Sequence, residues 1–257
     1  MLIQKEIFRQ PDDTEIKIWR YMDFTKFIAL LNSQELFFAR TDTFNDPFEG
    51  SLTKPTFETI NKFFSDNNAS SIRPSFGDFL ESFRKIIGIN CWHMNEVESA
   101  AMWKLYLKSD DGIAIQSTYS KLSNSFTLTE EEISTTCVEY IDYESHEFGY
   151  DKGQQFNFLE LFTHKRHSFS HERELRLVFI NSPPKKKYTG PLVKEIHEQY
   201  HLKGGIGIKV DLNCLIENVY ISPTSTPWFS TLVSESIKKF GFDFPIINST
   251  LLESPMF

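Results

Sequence analysis

The first regular hydrophobic pattern is Ile16-Lys17-Ile18-Trp19-Arg20-Tyr21, which alternates as a strand does. In the following DFTKFIALLNSQ, Phe24, Phe27, Ile28 and Leu31 recur at helical spacing behind Asp23, a residue suited to cap a helix. Leu36-Phe37-Phe38-Ala39 reads as a second strand. It runs into Thr43-Phe44-Asn45-Asp46-Pro47-Phe48-Glu49-Gly50, whose Asn, Asp, Pro and Gly mark a specific turn. Residues 55–87 are aromatic and polar by turns and predict a helical insertion: two helices joined by a Ser/Asn loop, with Pro74 near the start of the second. Ile87 to His93 predicts a short strand ending in Cys-Trp-His. Glu98 to Lys108 predicts a helix with an apolar stripe of Ala101, Met102, Leu105 and Tyr106. Asp111-Gly112 then turns the chain into a strand, Ile113 to Thr118.

Farther on, Ser134 to Tyr143 has the β-branched and aromatic content of a strand, Phe156 to Phe169 reads as a helix, and His171 to Ile180 is the clearest strand. A Pro-Pro-Lys-Lys-Lys loop follows. Then come a helix near 191–201, strands near 206–210, 217–222 and 244–249, and a helix around 228–240. This irregular alternation predicts an α+β fold, a mixed or antiparallel central sheet with flanking helices. No repeat or break in composition divides the chain, so 1–257 reads as one domain.

Composition narrows the function. Of 257 residues, 40% are hydrophobic and 24% charged, which excludes a disordered or fibrous chain, and 25 phenylalanines supply much of the core. A net charge of −8 disfavours a surface that coats nucleic acid non-specifically. Cys91, Cys137 and Cys214 are scattered and odd in number, so neither a disulfide framework nor a zinc knuckle is expected. With no apolar leader and no stretch of about 18 apolar residues, the expectation is a cytoplasmic protein with no membrane partner.

Four clusters carry candidate chemistry. Asn45, Asp46, Phe48 and Glu49 crowd two carboxylates, an amide and an aromatic into one turn, as a pocket that stacks and hydrogen-bonds a ring needs, although Asn-Asp-Pro also builds turns for structural reasons alone. In His171-Glu172-Arg173-Glu174-Leu175-Arg176, strand periodicity sends Glu172, Glu174 and Arg176 to one face. Paired carboxylates there can perturb each other's pKa, and Arg176 can hold one ionised; a solvated Glu–Arg pair is the structural alternative. Trp92, His93, Trp103 and Tyr106 could frame a cleft, or be core, and Cys91 beside them, a candidate ligand contact, could act as a nucleophile only if its thiol were activated. His164, Lys165, Arg166, His167 and His171 form a basic stretch suited to phosphate, and His164/His167 share a face if that segment is helical. The glycines of Gly204-Gly205-Ile206-Gly207 precede a strand, the reverse of a dinucleotide-binding turn.

Taken in order, Trp19-Arg20-Tyr21, Phe44-Asn45-Asp46-Pro47-Phe48-Glu49, Met102-Trp103 to Tyr106 leading to Gly112-Ile113-Ala114-Ile115, and Glu172-Arg173-Glu174-Leu175-Arg176 resemble the bacterial DUF2971 family across nearly the whole chain. The opening Arg-Tyr strand, helix and strand, together with Glu172-x-Glu174, also look like ADP-ribosyltransferase-like domains. That resemblance implies NAD as substrate and no metal. It implies that Arg20 contacts the nicotinamide ribose or phosphate, that Glu174 stabilises the oxocarbenium-like centre as nicotinamide leaves, and that Glu172 orients the acceptor. The acceptor would be a protein or nucleic acid, in a defence or toxin role. Where such transferases carry a Ser-Thr-Ser-like middle strand, this chain has Cys91-Trp92-His93. Two other readings stand beside it: a non-catalytic nucleotide or small-molecule sensor, and a metal-dependent phosphodiesterase using Asp46, Glu49 and Glu172.

Overall fold

The computed structural model describes residues 2–3, 8–68, 73–107, 109–149, 157–182 and 198–255. In chain order, β1 (Leu2–Ile3), β2 (Lys17–Asp23), α1 (Phe24–Ser33) and β3 (Glu35–Arg40) lead into the turn at 44–50. Next come α2 (Lys54–Asp66), α3 (Arg73–Lys85), β4 (Ile87–Met94), α4 (Ala100–Tyr106), β5 (Gly112–Thr118) and α5 (Tyr119–Asn124). β6 (Ile133–Cys137), β7 (Glu139–Ile141), β8 (His164–Arg166) and β9 (Glu174–Ile180) follow. β10 (Gly205–Lys209), α6 (Leu212–Leu215), β11 (Asn218–Ile221), α7 (Pro227–Lys239) and β12 (Ile246–Asn248) complete the set. The result is α+β, with a mixed, mostly antiparallel central sheet flanked by helices.

The main sheet runs β1-β6-β9-β4-β2-β5-β11-β12, and β3 joins it through β4 while carrying β10 on its other side. β4 is the pivot. One of its edges pairs with β9 from Ile87↔Ile180 to His93↔Glu174. The other edge is shared: β2 takes Ile18↔Met94 and Trp19↔His93, and β3 takes Ala39↔Ile89 and Arg40↔Gly88. Between them, Asn90 to Trp92 have no strand partner on that edge among the described residues, so the sheet forks. β2 leaves the fork to pair with β5 from Lys17↔Thr118 to Asp23↔Gly112.

α1 spans the fork from β2 to β3. Its buried side is Phe27, Leu30 and Leu31; Asp23 stands at the N-cap, but its side chain makes no capping hydrogen bond. The helix ends on Gln34 in the left-handed region, φ 52°, whose N–H donates to the Leu30 carbonyl at 2.8 Å. One apolar core, including Ile18, Phe27, Trp92 and Leu175, lies on one sheet face; a second, with Ile89, Phe148, Phe162 and Val178, lies on the other. Opposite faces follow from alternation, since Trp92 and Leu175 are neighbours of Cys91 and Arg176 along their strands. Each fully buried Phe or Trp contributes on the order of 1.5–3 kcal/mol over an exposed one.

Several expectations need correction. Phe156–Phe169 is not a helix: a 3-10 turn at Phe158–Phe162 is followed by β8 and a second 3-10 turn at His167–Glu172. Asn157 caps the first turn through Leu159 N at 3.0 Å, and β8 is drawn into parallel pairing with β7, so His164 and His167 do not share a helical face. The strand expected over Ser134–Tyr143 is two strands in different sheets, broken at Val138, whose N–H donates to the Glu174 carbonyl at 2.8 Å. The late strand starts at Glu174, not His171, because Arg173 takes φ 39°. In α4 the buried residues are Met102 and Trp103, which pack on Trp19 and Tyr21, whereas Leu105 and Tyr106 are exposed.

The two helices read at 55–87 are α2 and α3, with Pro74 in the first turn of α3. The Pro-Pro-Lys-Lys-Lys loop and most of the helix read near 191–201 lie outside the described residues. Among the described residues no helix is long and apolar enough to cross a membrane.

Candidate functional site

A cavity of about 1010 Å³ opens at the fork, lined from both faces of the sheet. Arg20 belongs by alternation to the Ile18 and Trp92 face, so its Cβ lies on the side opposite Glu174. Its guanidinium reaches the gap itself. Nη1 donates to the Cys91 carbonyl at 2.7 Å, on the edge that β2 and β3 leave open, and the guanidinium carbon stands 6.0 Å from the Trp92 ring centroid. Asn90 satisfies the other side of the gap, donating to the Phe37 carbonyl at 2.9 Å and accepting from Trp92 Nε1 at 2.8 Å. Burial lowers the Arg20 pKa, countered by Cys91 and Tyr106, and a guanidinium stays charged regardless.

On the opposite face the cavity floor is a buried ion network. Arg176 Nε meets Glu174 Oε1 at 2.7 Å and its Nη2 meets Glu174 Oε2 at 3.2 Å; Nη1 donates to the Phe162 carbonyl at 3.1 Å and Nη2 also to Glu49. Lys165 Nζ lies 2.6 Å from Glu172, 3.2 Å from Glu49 and 3.5 Å from Glu174. Counted by formal charge, the three carboxylates and two cations of this network sum to one negative charge. Burial alone would raise the Glu174 pKa, but Arg176 and then Lys165 hold it down at about 2. Glu172 moves the other way: burial lifts it, Lys165 opposes, and Glu174 and Glu49 add to the rise. Burial disfavours the charged forms of Lys165 and Arg176, yet the surrounding carboxylates outweigh it and raise both.

The Phe44–Gly50 turn supplies one wall. Asp46 accepts from Phe48 N at 3.1 Å and is held by Arg166 in a bidentate pair, 2.8 and 3.2 Å. Gly50 has φ 72°, and a Cβ there would meet Phe162 Cε1 at 2.8 Å, so only glycine closes this turn without strain. Asn45, Asp46 and Glu49 thereby line the cavity. Phe48 does not: it packs edge-on against Tyr143 at 5.3 Å, under the Arg166 guanidinium at 4.4 Å.

His93 and its neighbours form the rim. His93 Nδ1 lies 2.6 Å from the Glu172 carbonyl, so Nδ1 carries the proton and donates; Nε2 is buried and has no hydrogen-bond partner among the described residues. Burial lowers the His93 pKa, countered by the Glu172 bond, which leaves the ring neutral with a free lone pair at neutral pH. Tyr21 accepts from Ser99 N at 2.8 Å, and burial raises its pKa. Tyr106 lines the cavity, also with a raised pKa from burial. Trp103 stands behind Tyr21, ring centroids 4.9 Å apart, with Nε1 on Glu98 at 2.8 Å, and does not line the cavity. Burial, followed by the Glu174 charge, raises the Cys91 thiol well above its usual range, so it is not an activated nucleophile.

The structure therefore brings Arg20, Tyr21, Asn45, Asp46, Cys91, Trp92, His93, Tyr106, Glu172, Glu174 and Arg176 to one cavity, and leaves Phe48 and Trp103 outside it. Glu172 arrives by the 3-10 turn and not by strand alternation. Lys165 is the site residue that the sequence reading placed elsewhere, in a basic stretch thought suited to phosphate; it is buried amid three carboxylates. Asp46, Glu49 and Glu172, the set named for a metal, instead face Arg166, Arg176 and Lys165. Among the described residues no group of three His, Cys, Asp or Glu is placed to hold a metal ion. No protein-family model matches the chain, and no curated protein matches it.

Proposed function

We propose that the chain is an ADP-ribosyltransferase-like domain that binds NAD or a related nucleotide in the fork cavity. The observation that supports this most is adjacency. Arg20 and Glu172-Arg173-Glu174, which carry the opening and late segments of the resemblance, come from or adjoin β2 and β9; both strands pair with β4, whose Cys91-Trp92-His93 stands where the transferase pattern has its Ser-Thr-Ser-like strand. Arg20, Cys91, Trp92, His93, Glu172 and Glu174 line a cavity at the upper end of the usual volume range for small-molecule and cofactor sites.

In this reading Arg20 supplies positive charge for phosphate, and Trp92 and Tyr106 offer ring faces. The net negative network lies across the fork, where the oxidised nicotinamide and the cationic ribosyl centre would sit. The glycosidic C–N bond breaks, nicotinamide leaves with the electron pair, and the acceptor nucleophile bonds to the ribosyl carbon while losing a proton. Glu174 stabilises the cationic centre and Glu172, with its raised pKa, orients the acceptor. The likeness to DUF2971, a protein or nucleic-acid target and a role in bacterial defence belong to the same proposal. Three free cysteines support a cytoplasmic home.

A second reading, a binding domain without turnover, is favoured by one observation: both Glu174 oxygens are engaged by Arg176 and Lys165. Incubation with NAD labelled in the nicotinamide and in the adenylate separates the two. Turnover releases nicotinamide and labels an acceptor, and Glu174→Gln lowers it by about 10²–10³-fold. Ligand-dependent melting without release supports the binding domain, and neither response would remove both.

A further inference from the structure

Phe37 lines the fork cavity and is 54% exposed, an open ring on the wall of a site. Its neighbour Phe38 is buried in the core with Trp92, so alternation along β3 turns Phe37 to the opposite face, the face of Ile89 and Cys91. There it stands among small residues. β10 sets Gly207 directly across from it and Gly205 across from Ala39, so neither glycine puts a side chain over the ring. A Cβ at Gly205 would collide with Phe37 Cζ and come within 2.9 Å of Cε1. Glycine therefore lets the ring lean on β10 while the rest of its surface stays open.

Two charged groups flank this ring, and both line the same cavity. A Cβ at Gly207 would collide with Glu35 Oε2, so that carboxylate lies over the glycine directly across from Phe37. Oε1 of Glu35 faces Lys209 Nζ at 3.3 Å, which leaves Oε2 to accept from a ligand. The second group is Arg20. The Phe37 carbonyl accepts from the Asn90 side chain at 2.9 Å, and the Cys91 carbonyl accepts from Arg20 Nη1 at 2.7 Å. The Phe37 backbone and the Arg20 guanidinium are thus anchored to adjacent residues of β4, one strand step of about 3.3 Å apart. An open ring, a carboxylate acceptor beside it and a guanidinium next along the edge are complementary to a flat base with an exocyclic amine and a phosphate.

We propose that Phe37 is the base-stacking platform of the fork cavity, taking the adenine of a nucleotide whose phosphate meets Arg20 and whose exocyclic amine donates to Glu35. The inference rests on the placing of a nucleotide in that cavity, and not on transfer chemistry. It gives a role to the glycines of Gly204-Gly205-Ile206-Gly207, which keep β10 flat beneath and beside the ring.

The test is calorimetric titration of the full chain with adenosine monophosphate, with ribose 5-phosphate, which lacks the ring, and with purine riboside monophosphate, which lacks only the amine. Adenosine monophosphate should bind one-to-one, about tenfold or more tighter than ribose 5-phosphate and severalfold tighter than the purine riboside. Phe37→Ala should remove the first difference and leave ribose 5-phosphate affinity unchanged. Phe37→Trp should keep that difference, and Phe37→Leu, apolar but not flat, should lose it. Glu35→Ala should remove the second difference. Because the ring is more than half exposed, its truncation leaves the fold intact. Equal affinity for adenosine monophosphate and ribose 5-phosphate, indifference to Phe37→Ala, or no saturable binding at millimolar adenosine monophosphate would each overturn the proposal. Nicotinamide release with a KM for NAD that Phe37→Ala leaves unchanged would end this inference alone. Adenosine monophosphate binding that depends on Phe37, without nicotinamide release, would end the transferase reading alone.

Discussion

Arg176 grips Glu174 from two residues along the same strand, Nε to Oε1 at 2.7 Å and Nη2 to Oε2 at 3.2 Å, with both side chains buried. The pair fixes the carboxylate at the cavity floor and ties β9 to the turn through Glu49. Replacing Arg176 by Met leaves Glu174 and Glu49 buried without their main cation, which costs about 3–5 kcal/mol. Urea denaturation at pH 7 measures this; a loss below about 1 kcal/mol would mean that the network is not the scaffold of the site.

The same pair sets an acid limb in stability. The Glu174 pKa, about 2 when folded, lies below the unfolded carboxyl value, so its contribution is complete above the unfolded pKa and is lost as pH falls toward 2. Glu172, raised on folding, works in the opposite sense and gains relative stability on protonation. Stability measured from pH 5 to 2 should therefore fall less steeply in Glu174→Gln than in the unaltered chain. Parallel curves would contradict the assignment.

At the fork, Arg20→Met removes the donor to the Cys91 carbonyl and the positive charge at the gap. A stability loss of about 1–3 kcal/mol is expected, with nucleotide affinity reduced about tenfold or more. Arg20→Lys, which keeps charge but not the planar fork, should recover affinity only in part. Calorimetry with NAD reads both variants.

His93 should titrate below the usual histidine value and remain the Nδ1–H tautomer at neutral pH, visible in ring nitrogen shifts. Because its folded pKa is depressed, its stability contribution is present above the unfolded value near 6.5 and is lost as pH falls toward the folded one. An ordinary pKa, or an Nε2–H tautomer, would contradict the geometry at the Glu172 carbonyl.

Gly50→Ala should destabilise by about 1–2 kcal/mol for the left-handed backbone alone, with a further cost from the 2.8 Å approach to Phe162. The change displaces Asp46 and Glu49, so nucleotide affinity should fall with stability. Thermal melting with and without NAD checks both.

The period-two pattern of Ile16 to Tyr21 and of Ile113 to Thr118 was enough to find β2 and β5, because each strand covers a core whose apolar positions repeat. Composition alone marked the Asn-Asp-Pro turn, since the backbone there needs an Asx contact and a glycine at positive φ. Lys165 was misplaced because LFTHKRHSF has helical spacing; only pairing with β7, far along the chain, makes it a strand that points a lysine inward. The fork was invisible for the same reason: it depends on which of two strands takes each half of the β4 edge, a contact no local pattern encodes. Phe48 and Trp103 share composition with the cavity wall, but their side chains turn to Tyr143 and Tyr21.

The most direct measurement is release of nicotinamide from NAD by the purified chain, followed alongside its Glu174→Gln variant with protein and nucleic-acid acceptors present. Release by the unaltered chain, transfer of label to an acceptor, and loss of both by about 10²–10³-fold in the variant are expected. No release above the variant's level, with every acceptor unlabelled, would contradict the transferase assignment of the fork cavity.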